Sequence, residues 1–204
     1  MITTYSDLTA AIAAWLNRSD LTPQIPTFIQ LAHTRLNRDL RLARMETRAS
    51  ANTLPGNAML ALPEDFLEMR HVRLATDPPI ILRAANPAEI DALGAVRGLP
   101  RAYATIGRAL RLGPTPDAAT GVALTYYARV PPLSPDNDGN WLLEEAPDVY
   151  LYAALAESAP YLHEDARVQT WAALYDRALD SLRTADLKAR WGGSNLTSRP
   201  TRSV

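Results

Sequence analysis

Apolar positions recur at helical spacing towards both ends of the chain and at period two through its middle. Leu8, Ala11, Ile12, Trp15 and Leu16 share one helical face, and Thr4 or Ser6 can cap the segment. Asn17 to Thr22 is a polar break. A second stripe follows: Phe28, Ile29, Ala32, Leu36 and Leu40, with Pro26 tolerated in the first turn. Arg35, Asn37, Arg38, Asp39 and Arg41 hold the other side. So short a link between two amphipathic segments predicts an antiparallel hairpin.

The period changes after about Met45. Thr47 to Thr53 reads as a short polar stretch, and Leu54-Pro55-Gly56-Asn57 has turn chemistry. Met59 to Leu62 alternates weakly. Phe66 to Ala75 alternates clearly, with Met69, His71 and Arg73 on one side and Val72 and Leu74 on the other. Ile80 to Leu82 is a short strand candidate. Asn86-Pro87-Ala88-Glu89 predicts a capped short helix. Ala102 to Leu112 predicts a hairpin turning near Gly107-Arg108. Val122 to Val130 is the strongest strand, with Val122, Leu124 and Tyr126 on one face and Tyr127 on the other.

Helical spacing returns after the Pro131 to Asn140 loop. Pro147 opens a segment that runs through Val149, Tyr152, Ala153, Leu155 and Ala156 towards Leu162, with Pro160 as a stop. The longest helix is predicted from about Asp165 to Arg190, roughly 35–40 Å at 1.5 Å per residue. Its stripe is Val168, Trp171, Tyr175, Ala178, Leu182 and Ala185, widened by Leu174 and Leu179. Gly192-Gly193 ends it. The fold class that follows is α+β, mainly α. Residues 1–45 and 141–191 form a helical bundle, residues 46–140 form an inserted β-rich subdomain, and residues 192–204 form a flexible tail.

Composition narrows the chemistry. The chain has 204 residues, no cysteine and a formal net charge of -1. Disulfides, thiolate metal sites and cysteine nucleophiles are excluded, and an overall basic nucleic-acid footprint is absent. No apolar run approaches the roughly 20 residues of a membrane span, and no secretion signal is visible, so the expectation is a protein made in a cytoplasm. His33, His71 and His163 lie far apart, in no metal-binding spacing. Glu144-Glu145 with Asp148 could serve as an acid/base or metal cluster, or simply complement helix N-termini. No phosphate-cradling glycine motif and no GxSxG elbow occurs. The expectation is a non-enzymatic chain with no cofactor and no metal.

Two features bear on partners. Arg35, Arg38, Arg41, Arg44 and Arg48 form a ladder, which is either a salt-bridging helix face or the contact of a small DNA-binding or regulatory protein. Lys188, Arg190, Arg199 and Arg202 come with no acid after Lys188, beside Trp191, Leu196 and Val204. That pattern is either a frayed end or a segment that orders on docking.

Several blocks resemble the tailed-phage adaptor family, the head-to-tail connector proteins. They are the opening TYSDLTAAIAAWLNRSDLTPQIPTFIQLAHTRLNRDLRLARMET, then LALPEDFLEMRHVRL, YATIGRALRLGPTP and LTYYARVPPLS, and finally NWLLEEAPDVYLYAALAESAPYLHEDARVQTWAALYDRAL. They stand in order over roughly Thr4 to Leu187. The resemblance implies a virion subunit at the head–tail junction. It implies a ring of copies, usually twelve, beneath the portal protein, extending a channel through which genomic DNA passes without sequence-specific binding. It also implies a platform for a downstream tail or nozzle protein. Trp191, Leu196, Arg199, Arg202 and Val204 become candidates for portal contacts. Arg35, Arg38, Arg41, Trp171 and Tyr175 become candidates for contacts between copies.

Overall fold

The computed structural model of the chain describes residues 1–93, 96–162 and 167–192. Its elements are, in order, α1 Tyr5–Leu16, α2 Ile25–Asp39, β1 Glu46–Asn52, β2 Met59–Ala61, β3 Phe66–Leu74 and β4 Ile80–Ala84, then α3 Pro87–Asp91, β5 Ala102–Ile106, β6 Ala109–Gly113 and β7 Gly121–Ala128, and last α4 Trp141–Glu145, α5 Pro147–Glu157 and α6 Arg167–Trp191. They fall into two compact units. Met1–Ala43 with the described part of Val130–Val204 is the helical unit, and Arg44–Arg129 is the β unit. The fold is α+β, mainly α, with the β-rich segment inserted between N- and C-terminal helices.

The helical unit is built around α5. Val149, Tyr150, Leu151, Ala153, Ala154 and Leu155 are all buried, so this helix is covered on nearly every side. Its alanines let α1, α2 and α6 pack against it. α1 contributes Leu8, Ile12 and Leu16, α2 contributes Phe28, Ile29, Ala32 and Leu36, and α6 contributes Trp171, Tyr175, Ala178 and Leu179. Each large aliphatic side chain buried this way contributes about 1.5–3 kcal/mol. α1 begins at a capping box: the Thr4 hydroxyl accepts from Asp7 N at 3.0 Å, and Asp7 Oδ2 accepts from Thr4 N at 3.2 Å. It ends where Asn17 turns left-handed, at φ 51. A 3-10 turn, Ser19–Gln24, leads into α2. The two helices lie next to each other, as their short link predicts, but α5 is the element both pack on most.

In the β unit a curled seven-stranded sheet has the order β1-β7-β3-β4-β5-β6-β2. All neighbours are antiparallel except β4 and β5. Val72, Leu74, Leu110, Leu112, Val122 and Leu124 point inwards and form the centre of its core. The hairpin β5–β6 turns at Gly107, φ 59, where a side chain would be strained.

Thr47 to Thr53, read only as a short polar stretch within the β-rich segment, is mostly strand: β1 pairs with β7 along its whole length, from Glu46↔Tyr127 to Asn52↔Gly121. Its inward positions are Thr47, Ala49 and Ala51, small enough that the alternation left no hydrophobic signature. The helical region resumes at residue 141, the expected bound, but as a separate helix α4 before Pro147, with Asn140 as N-cap. The segment Val130–Asn140, expected with the insert, belongs to the helical unit. Val130 N donates to Asn37 Oδ1 at 2.9 Å, and Tyr5 N donates to Asp138 O at 2.6 Å, so the segment is held by α2 and α1.

Candidate functional site

Among the described residues no group of His, Asp and Glu could hold a metal ion. His33 and His71 lie in different units, and His163 is outside the described residues. Glu144 and Asp148 are exposed in the first turns of α4 and α5, where helix N-termini favour carboxylates. Among the described residues no helix is long and apolar enough to cross a membrane.

The arginine ladder does not survive as a ladder. α2 stops at Asp39, because Leu40 turns extended (φ -97, ψ 136) so that Leu40 and Leu42 can both be buried. Arg41 folds back on the helix end, donating to Asn37 O at 3.0 Å and so satisfying a terminal carbonyl. Arg44 and Arg48 belong to the β unit. Arg38 is exposed on α2. Arg35 is drawn into the helical unit: its guanidinium sits 4.3 Å from the Tyr175 ring centroid and 3.4 Å from Glu157 Oε1. The five arginines therefore do not lie along one helix, which is where the DNA-binding alternative placed them. Trp171 and Tyr175 are 3% and 0% exposed, so their area goes to the core of their own unit and not to a neighbouring copy. Their helical stripe was read correctly; its partner was α5.

The best-defined polar constellation was missed by the sequence reading. Asn37, one turn after His33, donates from Nδ2 to His33 Nε2 at 2.9 Å. That leaves the proton of the neutral ring on Nδ1, which donates to Tyr150 Oη at 3.0 Å. Asn140 Nδ2 donates to the same phenol at 2.9 Å and to Pro131 O at 2.7 Å, while its Oδ1 accepts from Leu143 N at 2.9 Å. α2, α5, α4 and the returning chain are joined at one buried point. Asn140 directly before Trp141-Leu142-Leu143-Glu144 was the visible signal, an N-cap residue ahead of an apolar run.

Burial lowers the His33 pKa below its ordinary 6.5 and pushes the Tyr150 phenol up to about 12, the bond from Asn140 acting the other way. A charged imidazole would also need to donate from Nε2, where Asn37 already donates. Below pH 6.5 the unfolded chain therefore binds a proton that the folded chain refuses. Stability is fully present above that pH and declines as pH falls through it. We expect thermal melts between pH 7.5 and 5.5 to show this decline and His33→Gln to flatten it. An unchanged slope in the variant removes the assignment.

Leu179 is the last buried residue of α6, and on the arm that follows, Leu187 and Trp191, eight and twelve positions later, are each 57% exposed. Ala185, predicted on the stripe, is exposed. Asp186 still anchors this arm: Oδ1 accepts from Ala43 N at 2.8 Å, and Oδ2 accepts from Arg190 Nε at 2.8 Å. Of the portal candidates, Trp191 closes the arm; Leu196, Arg199, Arg202 and Val204 lie outside the described residues.

No curated protein matches the chain. Residues 3–199 match the model of the SU10 adaptor protein family, nearly the full length and both units together. The helical frame with its inserted curled sheet, found in a single continuous match, places the chain in the SU10 adaptor protein family, a family of phage head–tail adaptors.

Proposed function

We propose that this chain is the ring-forming adaptor of a phage head–tail connector. Family membership makes it a structural phage adaptor and so a component of the virion. The finer reading is that copies, twelve by the family pattern, stand side by side beneath the portal protein and extend the channel. Genomic DNA passes through without sequence-specific binding, and the β unit meets a downstream tail or nozzle protein. The observation that carries this reading is the family match over residues 3–199. The exposure of Leu187 and Trp191 near the end of α6 supports an outward-reaching contact. The formal net charge of -1 suits a channel that must not hold phosphates.

Trp191 is the proposed anchor of the portal contact, with Leu196, Arg199, Arg202 and Val204 following it. Arg38 and Arg41 remain candidates for the contact between copies. The test is electron microscopy of particles and of the chain mixed with its portal. A ring below the portal is expected, and particles lacking the chain would end the reading. Deleting residues 194–204, or making Trp191→Ala, is expected to weaken portal attachment at least tenfold with an unchanged far-UV spectrum. Undiminished attachment in both would remove the anchor assignment alone.

A further inference from the structure

The net charge of -1 hides two opposite units. The β unit has ten arginines and no lysine against eight carboxylates. Along the sequence, residues 1–43 and 130–204 carry eleven lysines and arginines against fourteen carboxylates, and residues 130–166 hold eight of these with no lysine or arginine.

The positive excess has an address on the outer face of β1, β7, β3 and β4. Arg48 of β1 stands opposite Thr125 of β7, which stands opposite His71 of β3. The next row runs Ser50, Ala123, Arg73 and Ile81. Strand spacing sets Arg48 and His71 about 10 Å apart, with the rows about 7 Å from each other. These two rows contain no carboxylate. Arg48, Ser50, His71 and Arg73 are exposed, and Ile81 is 71% exposed, the highest figure for a large apolar side chain described beyond Met1. Among the described residues neither Arg48 nor Arg73 has a carboxylate partner.

This face does not suit a second copy of itself, since two-fold pairing would set arginine against arginine. An apolar side chain standing free beside Arg73, with Arg48 two strands further along the sheet face, also does not suit a phosphate backbone, which is bound by many cations. It suits a protein surface with carboxylates around a small apolar patch. A closed ring needs two different, complementary faces on every copy. The acidic side is present in the same chain: Glu144 and Asp148 are exposed where α4 meets α5, and neither has a partner among the described residues.

We propose that the Arg48–His71–Arg73–Ile81 sheet face of one copy docks the Glu144–Asp148 end of α4 and α5 on the next copy. The contact rests on the ring reading above and supplies its head-to-tail interface. The test is charge exchange in the full chain, read as the fraction of particles bearing a ring. Arg48→Glu with Arg73→Glu is expected to lower that fraction at least tenfold, and Glu144→Arg with Asp148→Arg to do the same. The chain with all four changes is expected to return within threefold of the unaltered one. Arg48→Gln with Arg73→Gln, a gentler pair, should lower it severalfold and guards against misfolding of the glutamate pair. The proposal is overturned if either pair leaves rings intact, if the four changes together do no better than each pair, or if the sheet pair instead abolishes salt-sensitive duplex DNA binding. Particles of the unaltered chain that carry it without a ring would remove the ring reading itself.

Discussion

Tyr175→Ala is expected to cost the helical unit about 4 kcal/mol, and Tyr175→Phe only about 1–2 kcal/mol. The ring is fully buried between α6 and its neighbours. Alanine would remove its packing and leave a void that the rigid α5 core cannot fill. Phenylalanine would keep the ring and the face on which the Arg35 guanidinium rests at 4.3 Å. What it loses is the hydroxyl, which donates to Asp39 Oδ2 at 2.7 Å. Asp39 would not be stranded, because Arg35 Nε stays 3.6 Å from the same oxygen. The phenol is held well above its ordinary value, first by burial and then by the Asp39 carboxylate. Stability should therefore decline as pH rises past 10, where the unfolded phenol ionises first, and Tyr175→Phe should soften that decline. All four tryptophans lie in the helical unit, so urea titrations followed by tryptophan fluorescence report on this unit alone. Equal costs for alanine and phenylalanine would show that the bond, and not the packing, carries the position.

What could be read from the sequence follows from how local each determinant is. Helices α1, α2 and α6 were legible because apolar residues at helical spacing also carried their caps nearby: Thr4 before α1, Pro26 inside α2. β3, the β5–β6 hairpin and β7 were legible because large inward side chains alternate with polar ones, as in Val72 and Leu74 or Val122, Leu124 and Tyr126. β1 was not, since its inward residues are two alanines and a threonine, and its strand character comes from pairing with β7, some 75 residues away in sequence. The same limit governs the candidate surfaces. Trp171 and Tyr175 are large and lie on one stripe, but spacing cannot say whether a stripe faces an internal helix or a sister copy. The arginine ladder looked continuous because the end of α2 is set by the burial of Leu40 and Leu42, a tertiary demand. The charge division between units needed their boundaries, and the basic rows across β1, β7 and β3 needed the register.

Asn140→Ala is expected to destabilise the helical unit by about 3 kcal/mol, a large cost for removing one small polar side chain. Asn140 is 7% exposed and performs three tasks at once. It caps α4 through Leu143 N, holds the returning chain through Pro131 O, and donates to the Tyr150 phenol. Losing a cap alone costs about 1 kcal/mol. The remainder comes from a buried carbonyl and a buried phenol that each lose a donor. Asn140→Asp separates these contributions, because a carboxylate still accepts from Leu143 N but cannot donate to Pro131 O or Tyr150. If the donor bonds dominate, aspartate should be at least as damaging as alanine, even though it is a good cap residue. The loss should also reach His33, whose Nδ1 donates to the same phenol. With Tyr150 freed from Asn140, the His33 ring is less constrained, and the pH dependence between 7.5 and 5.5 should shrink along with the stability. Urea titrations of both variants at pH 7.5 and 5.5 measure all of this. An alanine variant within about 0.5 kcal/mol of the unaltered chain would mean that water replaces these bonds without loss, and that the junction of α2, α4 and α5 is held by its apolar contacts alone.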